Sequence, residues 1–124
     1  MFSIRWESPV KHFMRSATRD TQVGEQAIKQ GDWMMSNFAS ANRDEDVYDN
    51  PFEFDITRKP NRHMALGYGP HVCLGQHLAR LEMRIFWEEL LPRLKSVELT
   101  GPVKRVGASF VSGPFSVPIK FELT

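Results

Sequence analysis

The feature of this sequence that most limits its possible folds is one long helical pattern in a chain otherwise interrupted by glycine and proline. Between Leu74 and Leu91, leucine and isoleucine recur at spacings of four, three and four residues, which predicts an amphipathic helix. Pro92 ends this pattern, because proline lacks the N–H group that a helix interior needs. With 124 residues, the chain forms a single domain at most. The sequence therefore predicts an α+β architecture with one dominant helix, over residues 74–91.

Shorter elements are predicted on both sides of this helix. Residues 11–36 indicate short antiparallel strands, with bends at Gly24 and at Gln30-Gly31-Asp32. Residues 37–73 contain several turn-forming groups and are predicted to be mostly loop. The segments predicted after the helix are a strand over Leu94–Leu99 and a terminal hairpin over 108–123, formed by Ala108–Val111 and Val117–Leu123 around Gly113-Pro114.

Composition excludes several classes of function. Sixteen Lys and Arg residues against fifteen Asp and Glu residues leave a net charge of +1, without the basic excess that nucleic acid binding requires. No run of apolar residues is longer than three, so neither a membrane span nor a signal peptide is predicted. The single cysteine, Cys73, excludes internal disulfides and cysteine-ligated iron–sulfur clusters. We therefore expect a cytoplasmic protein without a nucleic acid or membrane partner.

The segment before the long helix, Leu66 to Gly75, carries the strongest chemical signal. Gly67 and Gly69 allow positive φ angles and let the backbone lie close to a flat group. Cys73 is predicted to lie in the first turn of the helix, where free N–H groups favour a thiolate. Gly75 leaves the space beside the sulfur clear. A thiolate in such a space suits an axial ligand of a planar metal macrocycle.

Other interpretations of Cys73 remain open on these residues alone. A free cysteine is most often a small buried apolar residue. A zinc site of His71, Cys73 and His77 would lack an obvious fourth ligand. Cys73 could also be a nucleophile with His71 or His77 as its base. A nucleotide-binding loop is a weaker interpretation, because Val72 occupies the position of the third glycine.

The whole pattern resembles a known family. Gly67-x-Gly69-x-His71-x-Cys73-x-Gly75 resembles the haem-binding loop of the cytochrome P450 family, with Leu66 in place of the usual aromatic residue. The similarity extends over nearly the whole chain, and the run from Glu88 to Leu99 is similar to the alpha-terpineol monooxygenase group within that family. The resemblance implies the carboxyl-terminal part of the cytochrome P450 fold, and the chain is expected to be a fragment of such a domain.

The resemblance also implies a cofactor and the residues that hold it. The cofactor is haem b, with Cys73 as the axial thiolate ligand of its iron. His71 matches a residue that hydrogen-bonds a haem propionate, and Arg15 matches an arginine that pairs with a propionate. The loop positions Leu66, Gly67 and Gly75 complete the set of residues expected to contact haem.

Two further arginines match a buried network of the family. Arg5 and Arg58 correspond to the two arginines of a Glu-Arg-Arg network, whereas the position of the glutamate is occupied by Phe2. Two buried guanidinium groups without their carboxylate would repel each other. We therefore expect a pair of like charges here.

For activity, the resemblance implies a monooxygenase that inserts one oxygen atom of O2 into a small hydrophobic substrate, for which a terpenoid is the candidate. The expected electron donor is a ferredoxin-type protein. Segments near Val10–Phe13 and Phe110-Val111 are expected to line the substrate pocket. The acid–alcohol pair of the family's distal helix has no counterpart in this sequence, so no catalytic residue is assigned. The alternative is a non-catalytic fragment that cannot turn over alone.

Overall fold

The computed structural model describes residues 2–124, and for Phe2 the backbone only. Three α-helices and eight short strands make up the fold, which confirms the α+β prediction. In chain order the elements are α1 (Phe2–Glu7), β1 (His12–Ser16), β2 (Thr21–Val23), β3 (Gln26–Ile28), β4 (Trp33–Asn37), α2 (Phe38–Ala41), α3 (Gln76–Leu90), β5 (Leu94–Leu99), β6 (Lys104–Arg105), β7 (Pro114–Ser116) and β8 (Ile119–Leu123). Within this described part, no helix combines the length and the apolar character needed to cross a bilayer.

The strands predicted over residues 11–36 are present. β1 and β4 pair antiparallel, with Met14 opposite Met35, and the small β2–β3 hairpin lies between them in the sequence. Gly24 and Gly31 take φ angles of 58° and 91° at the bends, a region that glycine enters without steric cost. α2 interrupts the segment predicted to be loop, and Asn37 Oδ1 caps it by accepting a hydrogen bond from the Ser40 N–H (3.1 Å).

The long helix begins later than predicted. α3 starts at Gln76, because the Gly75 carbonyl accepts the first helical hydrogen bond, from the Ala79 N–H at 2.9 Å. Cys73 precedes the helix in a turn, in which its carbonyl accepts from the Gln76 N–H (3.2 Å). The prediction that the thiol lies in the first helical turn is therefore wrong. At the other end α3 finishes at Leu90 and continues into a short 3-10 turn, Leu91–Arg93.

The predicted terminal hairpin has the wrong strand pairing. β8 pairs with β5, placing Phe121 opposite Val97, and β7 pairs with β6. Residues 108–111 form no strand with residues 117–123. Instead the Lys11 N–H donates to the Phe110 carbonyl (2.9 Å), and the Ser112 N–H donates to the Pro9 carbonyl (2.8 Å). This segment therefore docks on the chain after α1, a contact that no local turn signal reveals.

The core is small and partly polar. Buried residues lie where α1, α2 and the segment before the glycine loop meet. The buried apolar side chains there and at the end of β1 are Ala17, Phe38, Tyr48 and Ala65. The buried polar side chains are Arg5, Ser8 and Asn42.

Candidate functional site

The segment Leu66 to Gly75 folds back on itself and presents Cys73 at its end. The Cys73 N–H donates to the Leu66 carbonyl at 2.8 Å, and the Val72 N–H donates to the Gly69 carbonyl at 3.0 Å. These bonds close the segment into a compact loop, in which Gly69–His71 form a 3-10 turn. The Cys73 side chain is exposed and free. The interpretation of Cys73 as a buried apolar residue is therefore wrong.

Two glycines of this loop are needed for its shape. Gly67 has a φ angle of 72°, and a Cβ atom on it would lie 2.9 Å from the His71 carbonyl oxygen. No side chain fits there without moving the backbone. Gly69 also has a positive φ angle, 64°, but a Cβ on it would meet open space. A Cβ on Gly75 would lie 3.9 Å from Cys73 Sγ, so any side chain there would stand against the sulfur.

One cavity of about 220 Å³ brings four of the predicted site residues together. Leu66, Gly67, His71 and Cys73 line it on one side. The remaining lining residues are apolar: Val10, Phe13, Phe38 and Ala65. The thiol and the imidazole are thus the reactive groups of a largely apolar cavity.

The other predicted residues lie close to this cavity but do not line it. Arg15 lines a separate recess with Trp33, and its Nη1 donates to the Met14 carbonyl (2.9 Å). Its guanidinium lies 5.9 Å from the centre of the Phe13 ring, which does line the cavity. Arg15 is therefore a neighbour of the site, separated from it by one aromatic ring. Gly75 lies beside the Cys73 sulfur and does not line the cavity.

The two segments expected to border a substrate pocket meet at this cavity. The Phe13 and Phe110 rings pack edge to face, with centroids 5.3 Å apart. Val10 and Val111 form an isolated antiparallel bridge. The structure therefore places both segments beside the Cys73 loop.

Sequence reasoning named Arg5 only as one of a pair of like charges and missed the group that anchors the loop. We call this group the polar hub: Arg5, Ser8, Asn42 and Tyr48. Asn42 Nδ2 donates to Ser8 Oγ (2.7 Å), and Asn42 Oδ1 accepts from the Met64 N–H (2.7 Å). The Asn42 carbonyl accepts from Arg5 Nη1 at 2.6 Å. These bonds tie α1 and α2 to the backbone two residues before the glycine loop.

Tyr48 adds a second attachment to the same segment. Its hydroxyl donates a hydrogen bond to the Arg62 carbonyl. Its ring lies under the Arg5 guanidinium, 4.8 Å from ring centre to Cζ, a cation–π contact. Burial raises the pKa of Tyr48 above its ordinary value, so the hydroxyl stays a donor at neutral pH. The position of Cys73 thus depends on residues distant in sequence.

The expected pair of like charges is present. Arg5 is only 3% exposed, and its pKa is lowered by burial and by the charge of Arg58. The Asp49 carbonyl (2.6 Å) and the Asn50 carbonyl (3.1 Å) accept from Arg58, and the charge of the Asp55 carboxylate raises the pKa of Arg5. Carbonyl dipoles therefore compensate part of the repulsion. The side chain of Phe2 lies outside the described part of the structure.

His63 is a second residue that the sequence analysis missed. It is half-buried just before the loop, and its pKa is lowered, first by burial and then by the positive charge of Arg80. Its Nδ1 is buried and has no hydrogen-bond partner within residues 2–124. A single histidine outside any motif gave no signal in the sequence.

The structure offers no support for the two other interpretations of Cys73. Within residues 2–124, no three side chains of the types His, Cys, Asp and Glu are grouped closely enough to hold a metal ion. His71, Cys73 and His77 therefore do not form the zinc site considered above. In the same range, neither histidine makes a hydrogen bond with Cys73, so no cysteine–histidine pair is formed.

Comparison with known proteins identifies the family. The cytochrome P450 family profile matches residues 3–114. The chain is 62% identical over 119 residues to cytochrome P450-terp from a Pseudomonas species, covering 96% of this chain and 28% of that protein. It is 41% identical over 110 residues to linalool 8-monooxygenase from Pseudomonas putida, covering 89% of this chain and 27% of that protein.

Comparison with solved structures also finds a cytochrome P450. The crystal structure of CYP108D1 from Novosphingobium aromaticivorans matches with a TM-score of 0.94 and 49% identity, over 99% of this chain and 30% of that chain. The chain thus spans less than a third of the length of these relatives. Because the family profile covers most of the sequence and the fold agrees, the chain belongs to the cytochrome P450 family.

Proposed function

We propose that this chain is the haem-binding part of a cytochrome P450 monooxygenase, with haem b held through the Cys73 sulfur. The observation that carries the proposal is the exposed thiol at the wall of an apolar cavity, beside Leu66, Gly67 and His71. These residues fit haem, because a planar and largely apolar group suits apolar walls, and a cysteine thiolate is one of the axial ligands that haem iron takes in proteins. The glycine at position 75 leaves room beside that sulfur.

Each residue of the site has a distinct task in this proposal. Cys73 binds iron as the thiolate, and its backbone N–H donates to the Leu66 carbonyl, which holds the backbone at this position. His71 donates to one propionate, and Arg15 pairs with a propionate through its planar guanidinium. Leu66 keeps water from one side of the sulfur but lacks an aromatic ring. When bound, haem with a thiolate ligand supplies the activation of O2 by O–O cleavage.

The proposed reaction of the intact parent is insertion of one oxygen atom into a small hydrophobic substrate. The apolar rings of Phe13 and Phe110 beside the cavity support such a substrate. A terpenoid is the candidate, supported by the similarity to linalool 8-monooxygenase. The proposed electron donor is a ferredoxin-type protein, and the proposed location is the cytoplasm, as expected for a bacterial member with one free thiol.

Residues 1–124 contain no acid–alcohol pair of the kind that the family uses for proton delivery, so we assign them no catalytic residue. We therefore propose that the isolated chain does not turn over substrate. The second candidate, a non-catalytic fragment, is favoured by the many exposed apolar side chains described below. Both candidates share the Cys73 site and differ only in whether a parent protein that contains this chain turns over substrate.

The test uses the chain itself and a chimera in which it replaces the matched segment of cytochrome P450-terp. Each protein is loaded with haem, reduced and exposed to carbon monoxide. We expect the red-shifted Soret band of thiolate-ligated haem in the chimera, and its loss in Cys73→Ser. The control variant Arg15→Gln should keep the band but release haem faster. A red-shifted band in the Cys73→Ser chimera would remove the assignment of Cys73 as ligand.

A further inference from the structure

Asn42 is fully buried, and its side chain joins two segments that are distant in sequence. Its Nδ2 donates to Ser8 Oγ (2.7 Å), and its Oδ1 accepts from the Met64 N–H (2.7 Å). A backbone N–H can only donate, so the oxygen of the amide must face Met64 and the nitrogen must face Ser8. The amide therefore connects the end of α1 to the segment before the glycine loop in one defined orientation.

From Met64, backbone hydrogen bonds continue to Cys73. The Met64 carbonyl accepts from the Gly67 N–H (2.8 Å), which closes a four-residue β-turn. The Leu66 carbonyl, inside this turn, accepts from the Cys73 N–H (2.8 Å). Because Asn42 binds the first N–H of the turn, one side chain holds the turn to which the Cys73 backbone is bonded.

Asn42 is also bonded to a wall of the cavity that Cys73 lines. It follows the last residue of α2, and its N–H donates to the Phe38 carbonyl (2.9 Å). Phe38 is 5% exposed and lines the cavity. Ala65, in the turn after Met64, is 3% exposed and lines the same cavity. Asn42 therefore links the apolar wall and the thiol-bearing loop through three short hydrogen-bonded steps.

Ser8 gives Asn42 a fixed partner at the end of α1. Its φ angle is 43°, in the left-handed region that a residue with a Cβ atom rarely adopts. Such a conformation persists only where the surrounding contacts hold it. The Ser8 Oγ donates to the Arg5 carbonyl (2.8 Å) and accepts from Asn42, and the whole residue is buried. Both sides of the Asn42 amide are thus held by buried, directional bonds.

We infer that Asn42 is the positioning residue of the Cys73 sulfur, through the bond that its Oδ1 accepts from the Met64 N–H. The inference rests on the proposed function, in which Cys73 ligates haem iron. Outer hydrogen bonds orient the ligands of a metal and tune its properties, and their loss weakens metal binding. The acceptor oxygen carries the effect, since Nδ2 binds Ser8 on the side away from the loop.

The test compares three variants of the chimera described above. Asn42→Leu keeps the approximate size of the side chain and removes the acceptor for the Met64 N–H. Asn42→Asp keeps an acceptor oxygen, and Arg5, which donates to the carbonyl of residue 42 at 2.6 Å, supplies the positive charge that a buried carboxylate needs. The matched control is Asn37→Leu, at the other end of α2, where Oδ1 also accepts from a backbone N–H but is exposed.

Haem binding provides the first measurements. We expect Asn42→Leu to release haem about tenfold faster or more, to shift its reduction potential, and to lose part of the red-shifted band with carbon monoxide. Asn42→Asp should restore the potential and the band. Asn37→Leu should leave the potential and the band unchanged and release haem within about threefold of the rate of the unchanged chimera.

A second measurement needs no haem. Amide hydrogen exchange is followed in the chain itself at Gly67 and Cys73, with Ile85 in α3 as the internal reference. Asn42→Leu should increase exchange at Gly67 and Cys73 about tenfold relative to Ile85, because the turn loses its support. A general loss of stability would raise the exchange at all three positions by the same factor.

Three results would overturn the inference. Equal haem release from Asn42→Leu and Asn37→Leu would show that any change in α2 has the same effect. Failure of Asn42→Asp to restore the potential would exclude the acceptor oxygen as the cause. An equal rise in exchange at Ile85 would reduce Asn42 to a general contributor to stability.

The outcome is distinguishable from that of the haem proposal. If the unchanged chimera never shows the red-shifted band, the haem site is contradicted, and the positioning of a haem ligand by Asn42 falls with it, whatever the exchange at Gly67 shows. If the band is present and Asn42→Leu leaves haem release and loop exchange unchanged, the haem site stands and only the inference about Asn42 is wrong.

Discussion

The polar hub and one apolar side of α3 reverse the usual distribution of polar and apolar residues. This side of α3 is formed by Leu78, Leu81 and Ile85, and we call it the outer stripe. Arg5, Ser8 and Asn42 are at most 3% exposed, whereas Leu78 and Ile85 are about half exposed. A buried polar group is stable only when hydrogen bonds replace its contacts with water. The hub satisfies this condition within the chain, and the outer stripe has no matching apolar surface within residues 2–124. The difference teaches that the polar anchor is formed by the described residues themselves, whereas those residues leave a large part of their apolar surface exposed.

The hydrogen bonds of the hub can all be made within this chain because its members lie close together in space, although they are distant in sequence. Asn42 joins three segments through Ser8, Met64 and Arg5. Directional bonds of this kind need only one partner each. Apolar burial requires an extended surface, since its free energy is proportional to area. A part of a domain can therefore contain its polar anchors and still lack most of its apolar contacts.

The largest effect is expected for Asn42→Ala. This variant removes the bonds to Ser8 Oγ and the Met64 N–H, and it leaves the buried Arg5 with a disturbed acceptor. We expect a loss of about 3 kcal/mol in the free energy of unfolding, measured by urea titration. The control is Asn37→Ala, which removes only the exposed cap of α2 and should cost about 1 kcal/mol. Equal losses would show that the hub is no more important than a surface cap.

The second largest effect on the free energy of unfolding is expected for Gly67→Ala, in the loop that the hub supports. Gly67→Ala would place a Cβ atom 2.9 Å from the His71 carbonyl oxygen at a φ angle of 72°. We expect it to lower the free energy of unfolding by about 2 kcal/mol and to reduce haem retention. Gly69→Ala meets the same backbone strain without the contact, so its loss should be about 1 kcal/mol. A larger effect at Gly69 would contradict the loop geometry.

A smaller effect on the free energy of unfolding is expected when the pH is lowered, because His63 lies next to a segment that the hub holds. Burial and Arg80 lower the pKa of His63 in the folded chain below its ordinary value of 6.5. The unfolded chain therefore binds this proton first, and stability is lost as the pH falls from about 6.5 towards the folded pKa. Urea midpoints measured between pH 7.5 and 5 should fall, and His63→Gln should flatten this part of the profile. An unchanged slope in the variant would exclude His63 as its source.

The smallest effect is expected on the outer stripe. Ile85→Gln should change the free energy of unfolding of the isolated chain by less than about 0.5 kcal/mol, because the side chain is already 48% exposed. The solubility of the chain should increase, since the variant reduces the area of an exposed apolar surface. Light scattering at rising protein concentration measures the second effect. A loss as large as that of Asn42→Ala would show that the stripe is covered in the isolated chain, and the contrast with the hub would fail.

The Cys73 loop could be predicted from the sequence because its geometry is local. Gly67, Cys73 and Leu66 lie within a few residues of one another, and their hydrogen bonds close a short loop. The α+β class and the strands of residues 11–36 were predictable for the same reason, since turns and alternation are short-range signals. The start of α3 was misplaced, because an apolar pattern indicates which face a helix buries but leaves its first hydrogen bond undetermined.

The hub, and the pairing of β5 with β8 and of β6 with β7, could not be predicted from such short-range signals. Asn42 lies 37 residues from Arg5 and 34 from Ser8, and no periodicity connects them. The turn at Gly113-Pro114 favoured a local hairpin, whereas the structure docks residues 110–112 on Pro9–Lys11.

The sequence by itself determined that one thiol stands beside a glycine loop and before a long helix, because those features depend only on neighbouring residues. It also determined the family resemblance that the comparisons confirmed. Only the tertiary structure decided which side chains are buried, that backbone carbonyls accept from both Arg5 and Arg58, and that Leu78, Leu81 and Ile85 of α3 are exposed. Burial depends on which distant segments meet, and that information is held by the whole set of contacts rather than by any single stretch of the chain.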